Sequence, residues 1–114
     1  MTGTTLTAGR VAGFLSQKAN TPAATEVHVM GVKPGLRRRG IGRVLIEAAA
    51  RLAAAEGARF LTVKTLSSAN SDPNYAATRA FYAALGFLPI EEFPTLWDAG
   101  NPCLLMLRPL LDRA

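Results

Sequence analysis

Residues 26–66 read EVHVMGVKPGLRRRGIGRVLIEAAARLAAAEGARFLTVKTL, and the reading of this stretch decides the fold. Glu26 to Val32 alternates, which predicts a strand with Val27 and Val29 on one face and Glu26, His28 and Met30 on the other. Gly31 interrupts the pattern and predicts either a bulge or a close approach of the backbone to something else. After Lys33-Pro34-Gly35 a helix is expected from near Gly40 to Glu56, with Ile41, Val44, Leu45, Ala48, Leu52 and Ala55 toward the core and Gly57 as its stop. Phe60 to Leu66 follows as a strand. A strand, helix, strand order of this length implies a parallel pair with a right-handed crossover, so the fold is α/β in character.

Upstream, Arg10 to Ser16 reads as a strand that follows a polar start, and Gln17 to Thr25 reads as a hairpin loop because Asn20, Thr21 and Pro22 favour turns. Downstream, Asp72-Pro73 signals a helix start, and a second helix is expected from about Tyr75 to Leu85, ended by Gly86. Phe87 to Phe93 and Cys103 to Arg108 are expected strands, joined by a loop containing Pro94, Trp97, Gly100 and Pro102. No internal repeat or linker divides the chain, and its 114 residues read as a single domain. A chain of that size buries about 65% of its unfolded surface and needs no disulfide or metal to fold.

Hydrophobic residues make up 49% of the chain and charged residues 18%, which excludes extensive disorder. The one cysteine, Cys103, cannot form an internal bridge and is expected in the core. With no signal-like start and no apolar run of about 18 residues, a reduced cytoplasmic setting without membrane contact is expected. The net charge is +5, and Arg37, Arg38, Arg39, Arg43 and Arg51 cluster, which points to an anionic partner: a phosphorylated small molecule, a nucleic acid or a membrane surface.

Position narrows the choice. A helix N-terminus offers unpaired N–H groups and the positive end of its dipole, Gly40 and Gly42 let a ligand approach the main chain, and the arginines add charge around it. Neither the Rossmann nor the P-loop glycine pattern is present.

The spacing V-x-P-x-x-R-x-x-G-x-G, from Val32 through Pro34, Arg37 and Gly40 to Gly42, resembles the acetyl-CoA signature of the GNAT N-acetyltransferase superfamily. Ala80 to Phe87, A-F-Y-A-A-L-G-F, is similar to the helix and glycine turn after the family's next strand, and the resemblance runs from about Arg10 to Arg108. It implies a mixed, mainly antiparallel sheet with a splayed parallel strand pair and helices on its faces. About nine residues stand where the family carries a further strand and two helices that help form the acceptor site, so the expected fold lacks those N-terminal helices.

The same resemblance implies acetyl-CoA as cosubstrate and a primary amine of a small molecule or peptide as acceptor. The pyrophosphate would lie on Arg37, Arg38, Arg39, Gly40, Ile41, Gly42 and Arg43, and the pantetheine arm on Met30, Gly31 and Val32 in the gap between the splayed strands, with a backbone N–H near Gly31 polarising the thioester carbonyl. Tyr82 matches the family's acid position, and Glu26 or His28 is the candidate base, directly or through water. Asn70, Asp72 and Trp97 are candidates for an acceptor pocket, with turn formation and packing as the alternative reading. Tyr75 stands where the family often has asparagine, which affects one coenzyme contact. Three alternatives follow: an N-acetyltransferase, whose missing wall a second subunit of a homodimer would supply; a non-catalytic acyl-CoA-binding module; and a nucleic-acid-binding domain using the same arginines. No nucleic-acid partner and no metal are expected.

Overall fold

Threonine recurs in residues 2–7 and valine in residues 24–32, and β-branched side chains favour extended backbone. In the computed structural model, which describes residues 2–7, 11–33 and 40–110, the order is β1 (Thr2–Thr7), β2 (Val11–Ala19), β3 (Ala24–Val32), α1 (Ile41–Ala55), β4 (Phe60–Leu66), α2 (Pro73–Ala84), β5 (Leu88–Asp98) and β6 (Asn101–Pro109). The class is mixed α/β. The chain forms two compact units: residues up to Leu61 with Leu110, and Thr62–Pro109. No described helix is long and apolar enough to cross a membrane.

In the first unit, β1 pairs antiparallel with β2, and β2 with β3. β1 occupies the polar start, where no element was expected. The hairpin loop is shorter than the sequence suggests, because β2 continues through Ala19 and β3 begins at Ala24. Its turn chemistry is nevertheless that of the quoted residues: Thr21 Oγ1 accepts from the N–H groups of Ala23 and Ala24 at 3.2 and 3.1 Å. The N–H groups of Arg59 and Phe60 both donate to the Ala23 carbonyl, at 2.7 and 3.0 Å, so β4 sets out beside the start of β3.

The expected facing of β3 is corrected at His28. Pairing passes from Ser16↔Val29 to Gln17↔Val27, which leaves His28 as the extra residue of a bulge. An extra residue shifts the alternation by one. Val27 is therefore buried while Val29, expected beside it, is 45% exposed. Gly31 is not the bulge. It lies opposite Phe14, and a Cβ at Gly31 would come within 2.7 Å of Phe14 Cε1, so the close approach is that of an aromatic ring covering the glycine.

Helix α1 packs on β1, β2 and β3. Its buried residues are Leu45, Ile46, Ala49, Ala50 and Ala53, whereas Val44 and Ala55, expected inside, are exposed. The run EAAARLAAA is apolar on nearly every side, so periodicity alone does not set its rotation; contact with the sheet does. Alanines keep the helix close to the strands, and Gly13 keeps it closer. A Cβ on Gly13 would sit 3.0 Å from the Gly31 carbonyl oxygen, 3.1 Å from Ile41 Cγ2 and 3.2 Å from Leu45 Cδ1.

A buried side-chain amide shares this core. Gln17 is 1% exposed, and its Nε2 and Oε1 have no hydrogen-bond partner among the described residues. A buried amide without partners costs about 1–3 kcal/mol. Gln17→Met keeps the unbranched shape without that cost, and is expected to raise the urea midpoint by the equivalent of about 1–2 kcal/mol at unchanged slope. A lower midpoint would show that the amide is satisfied in solution.

In the second unit the strand order is β4-β6-β5, with β5 and β6 antiparallel. β5 does not end at Phe93 but continues through Pro94 and Trp97 to Asp98. It is the edge strand, where a proline breaks no ladder on its outer side. Asp72 caps α2 by accepting from the Asn74 N–H at 2.9 Å, and Pro73 opens the helix, as the sequence signal requires. Gly86, at φ +92°, lets the chain leave α2, and the Phe87 N–H donates back to the Tyr82 carbonyl at 3.1 Å. Phe87 and Cys103 are fully buried here.

Candidate functional site

The first unit carries an anion-accepting helix start. Gly40, immediately before α1, has φ +78° and ψ 5°, a left-handed conformation that glycine adopts without penalty. A Cβ there would meet nothing within 4 Å among the described residues. Among the described residues no side chain caps the helix, and its first turn, Ile41, Gly42 and Arg43, holds no acidic residue. A helix start of this kind leaves its first N–H groups and its dipole for a ligand, and an exposed Arg43 adds positive charge. These features fit a pyrophosphate. Arg37, Arg38 and Arg39 lie outside the described residues.

Met30, Gly31 and Val32 end β3, and all three are half-buried. The Lys33 N–H donates to the Ala12 carbonyl at 2.9 Å. In an antiparallel ladder, bonded pairs alternate, so Phe14 and Gly31, two positions on, are again a bonded pair. The Gly31 N–H and C=O thus face β2. Those of Met30 and Val32 face the opposite edge of β3.

Glu26 and His28 do not share a simple strand face. Glu26 Oε1 accepts from Asn20 Nδ2 at 2.8 Å, which ties it to the turn, while His28 is exposed at the bulge.

In the second unit, Tyr82 is 7% exposed on α2 and packs edge-on against Phe81 and Phe87, with ring centroids 5.3 and 5.4 Å away. Burial raises its phenol pKa above the ordinary 10.0, because the charged form loses hydration. The group therefore stays protonated through the neutral range. A cleft of about 400 Å³ lies in the same unit, lined by Lys64, Thr65, Leu66, Tyr75, Trp97 and Asn101. Of the three residues considered for an acceptor pocket, Trp97 lines this cleft. Asn70 accepts from the Asp72 N–H at 2.9 Å and Asp72 caps α2, so these two form the turn.

Sequence reading did not find Lys64, Thr65 or Asn101, whose approach depends on strand order and leaves no local signal. Arg79 donates to the Leu66 carbonyl at 2.8 Å. Among the described residues, no three His, Cys, Asp or Glu side chains gather in a way that would hold a metal ion.

Comparison with known proteins adds to this geometry. Sequence comparison with curated proteins gives no match. Among solved structures, an aminoglycoside 6'-N-acetyltransferase complexed with coenzyme A superposes with a TM-score of 0.83 at 16% identity, covering 98% of this chain and 74% of that one. The ribosomal-protein-S18-alanine N-acetyltransferase from Escherichia coli gives 0.76 at 21% identity, covering 96% and 68%. A nourseothricin acetyltransferase gives 0.76 at 27% identity, covering 90% and 60%. The chain thus spans about two thirds of the length of such structures. The model of the acetyltransferase (GNAT) domain matches residues 2–89, most of the sequence. This match, with the glycine-led start of α1, shows that the chain belongs to the GNAT acetyltransferase family, whose cosubstrate is acetyl-CoA.

Proposed function

We propose that the domain transfers the acetyl group of acetyl-CoA to a primary amine of a small molecule or peptide. The observation that carries this reading is the start of α1, where Gly40 is left-handed and, among the described residues, neither a side-chain cap nor a first-turn acid competes with an incoming anion. Gly40, Ile41, Gly42 and Arg43 hold the pyrophosphate there, with Arg37, Arg38 and Arg39, just before them in sequence, adding charge. Met30 and Val32 offer backbone N–H and C=O groups to the pantetheine amides, and one of these N–H groups polarises the thioester carbonyl.

In the transfer, the neutral amine forms a bond to the carbonyl carbon and the carbon–sulfur bond breaks. One proton leaves the nitrogen, and one reaches the departing thiolate. Tyr82, kept protonated by burial, supplies the proton for sulfur. His28, the exposed member of the base pair, takes the proton from nitrogen directly or through water, with Glu26 beside the turn as the other acceptor.

The test is ligand-dependent stability with a charge reversal at the helix start. Acetyl-CoA at about 100 times its dissociation constant should add roughly 2.7 kcal/mol to unfolding stability. Arg43→Glu places an acid in the first turn, which the helix dipole favours, so the free variant is expected to be at least as stable as the parent. Its affinity for acetyl-CoA is expected to fall about tenfold or more, because a charge-assisted contact becomes a repulsion. Equal stabilisation of parent and variant by acetyl-CoA would remove this helix start from the site. A thermal response without release of free thiol, over a broad set of amines, would make the domain a non-catalytic binder.

A further inference from the structure

The cleft of the second unit has a chemistry of its own. It lies where the carboxyl end of β4, Lys64 to Leu66, meets the first turn of α2 at Tyr75, and strand ends of this kind are where α/β units hold their ligands. Tyr75 and Trp97 line it together and are 39% and 48% exposed. Two large aromatic side chains left in water on one concave surface offer flat apolar faces for stacking.

The polar part of the lining is Thr65, Asn101 and Lys64, and none of the described lining residues carries a carboxylate. The nearest carboxylate in sequence, Asp98, accepts from the Gly100 N–H at 2.9 Å and from Asn101 Nδ2 at 2.9 and 3.0 Å, which holds it in the turn between β5 and β6. A polycation needs carboxylates to replace its hydration, and none of the described lining residues supplies one. Tyr75 also stands two helical turns before Tyr82, on the same side of α2 and about 10 Å along its axis.

We propose that this cleft takes the body of the acceptor, and that the acceptor is an amine on a planar aromatic body carrying at most one positive charge, such as an arylalkylamine or an aromatic amino acid, and not a polycationic aminosugar. The assignment rests on the acetyl-transfer reading for the word acceptor; the ligand class rests on the cleft.

Trp97 is the only tryptophan of the chain, so its fluorescence, excited at long wavelength, reads the cleft directly and without turnover. Titration of the full chain with phenylethylamine is expected to change the Trp97 emission saturably, while kanamycin and lysine leave it unchanged. Tyr75→Ala is expected to weaken phenylethylamine binding about tenfold and Tyr75→Phe to restore it, since the ring and not the hydroxyl stacks. Both variants should keep the parent's cooperative unfolding in the absence of ligand, since Tyr75 is 39% exposed. Kanamycin binding as tightly as phenylethylamine, or no saturable response to any aromatic amine, overturns the proposal. Saturable binding of phenylethylamine with no free thiol released in the presence of acetyl-CoA keeps the ligand class and sinks the transfer reading.

Discussion

Tyr82→Phe is expected to lower kcat by about 100-fold while acetyl-CoA affinity changes by less than about twofold. The substitution removes one oxygen and keeps the ring that packs between Phe81 and Phe87, so the helix and its turn at Gly86 are retained. If the hydroxyl delivers the proton to sulfur, its loss acts on the transition state alone, and kcat and kcat/KM fall together. Unchanged turnover would return Tyr82 to a purely structural role.

A second readout, independent of turnover, follows from its burial. The folded-state pKa is raised above the ordinary 10.0, so the neutral phenol contributes stability that is fully present below pH 10.0 and is lost as pH rises through the folded value. The variant has no such loss. Urea midpoints should therefore shift in favour of Tyr82→Phe on going from pH 7 to above pH 10, and a difference that does not move with pH would show that the phenol is hydrated.

The second large effect lies where α1 meets β2. Leu45 is fully buried, and Leu45→Ala is expected to cost about 2–5 kcal/mol, the lost burial plus the cavity left behind. Gly13→Ala pushes a methyl into the same contact from the strand side, against Ile41, Leu45 and the Gly31 carbonyl, at about 1–3 kcal/mol. The two should not add. The methyl enters space that the shortened Leu45 vacates, so the double variant is expected to be less destabilised than the sum by about 0.5–3 kcal/mol in a denaturation cycle. Additivity within about 0.5 kcal/mol would show that the helix does not rest on Gly13. Because Ile41 belongs to the first turn of α1, Gly13→Ala alone should also weaken acetyl-CoA binding by displacing the N–H groups proposed to hold the pyrophosphate.

Much of the helix start was legible beforehand. Two glycines among arginines at the head of an apolar periodic run can be read without neighbours, because dihedral freedom and the helix dipole are local properties. The turn at Asn20 to Pro22, the Asp72 cap with Pro73 and the stop at Gly86 were legible for the same reason. Their outcomes depend on a few adjacent residues.

What could not be read depends on partners far along the chain. The bulge at His28 is a mismatch of count between β2 and β3, and it decides that Val29 faces away from Val27. Gly31 carried a visible anomaly, yet its cause is the Phe14 ring from the opposite strand. The extension of β5 past Pro94 required an edge position, which follows from strand order and not from propensity. The cleft of Lys64, Tyr75, Trp97 and Asn101 joins two strands, a strand end and a helix start.

For this protein, the sequence by itself determined the strand, helix, strand core, the caps and turns, and a helix start suited to phosphate, because each follows from local backbone preference and a side-chain period. Only the tertiary structure decided the rotation of α1, the facing of β3 after its bulge, which backbone groups point away from β2, and the aromatic cleft, because each depends on which distant segment fills the neighbouring space.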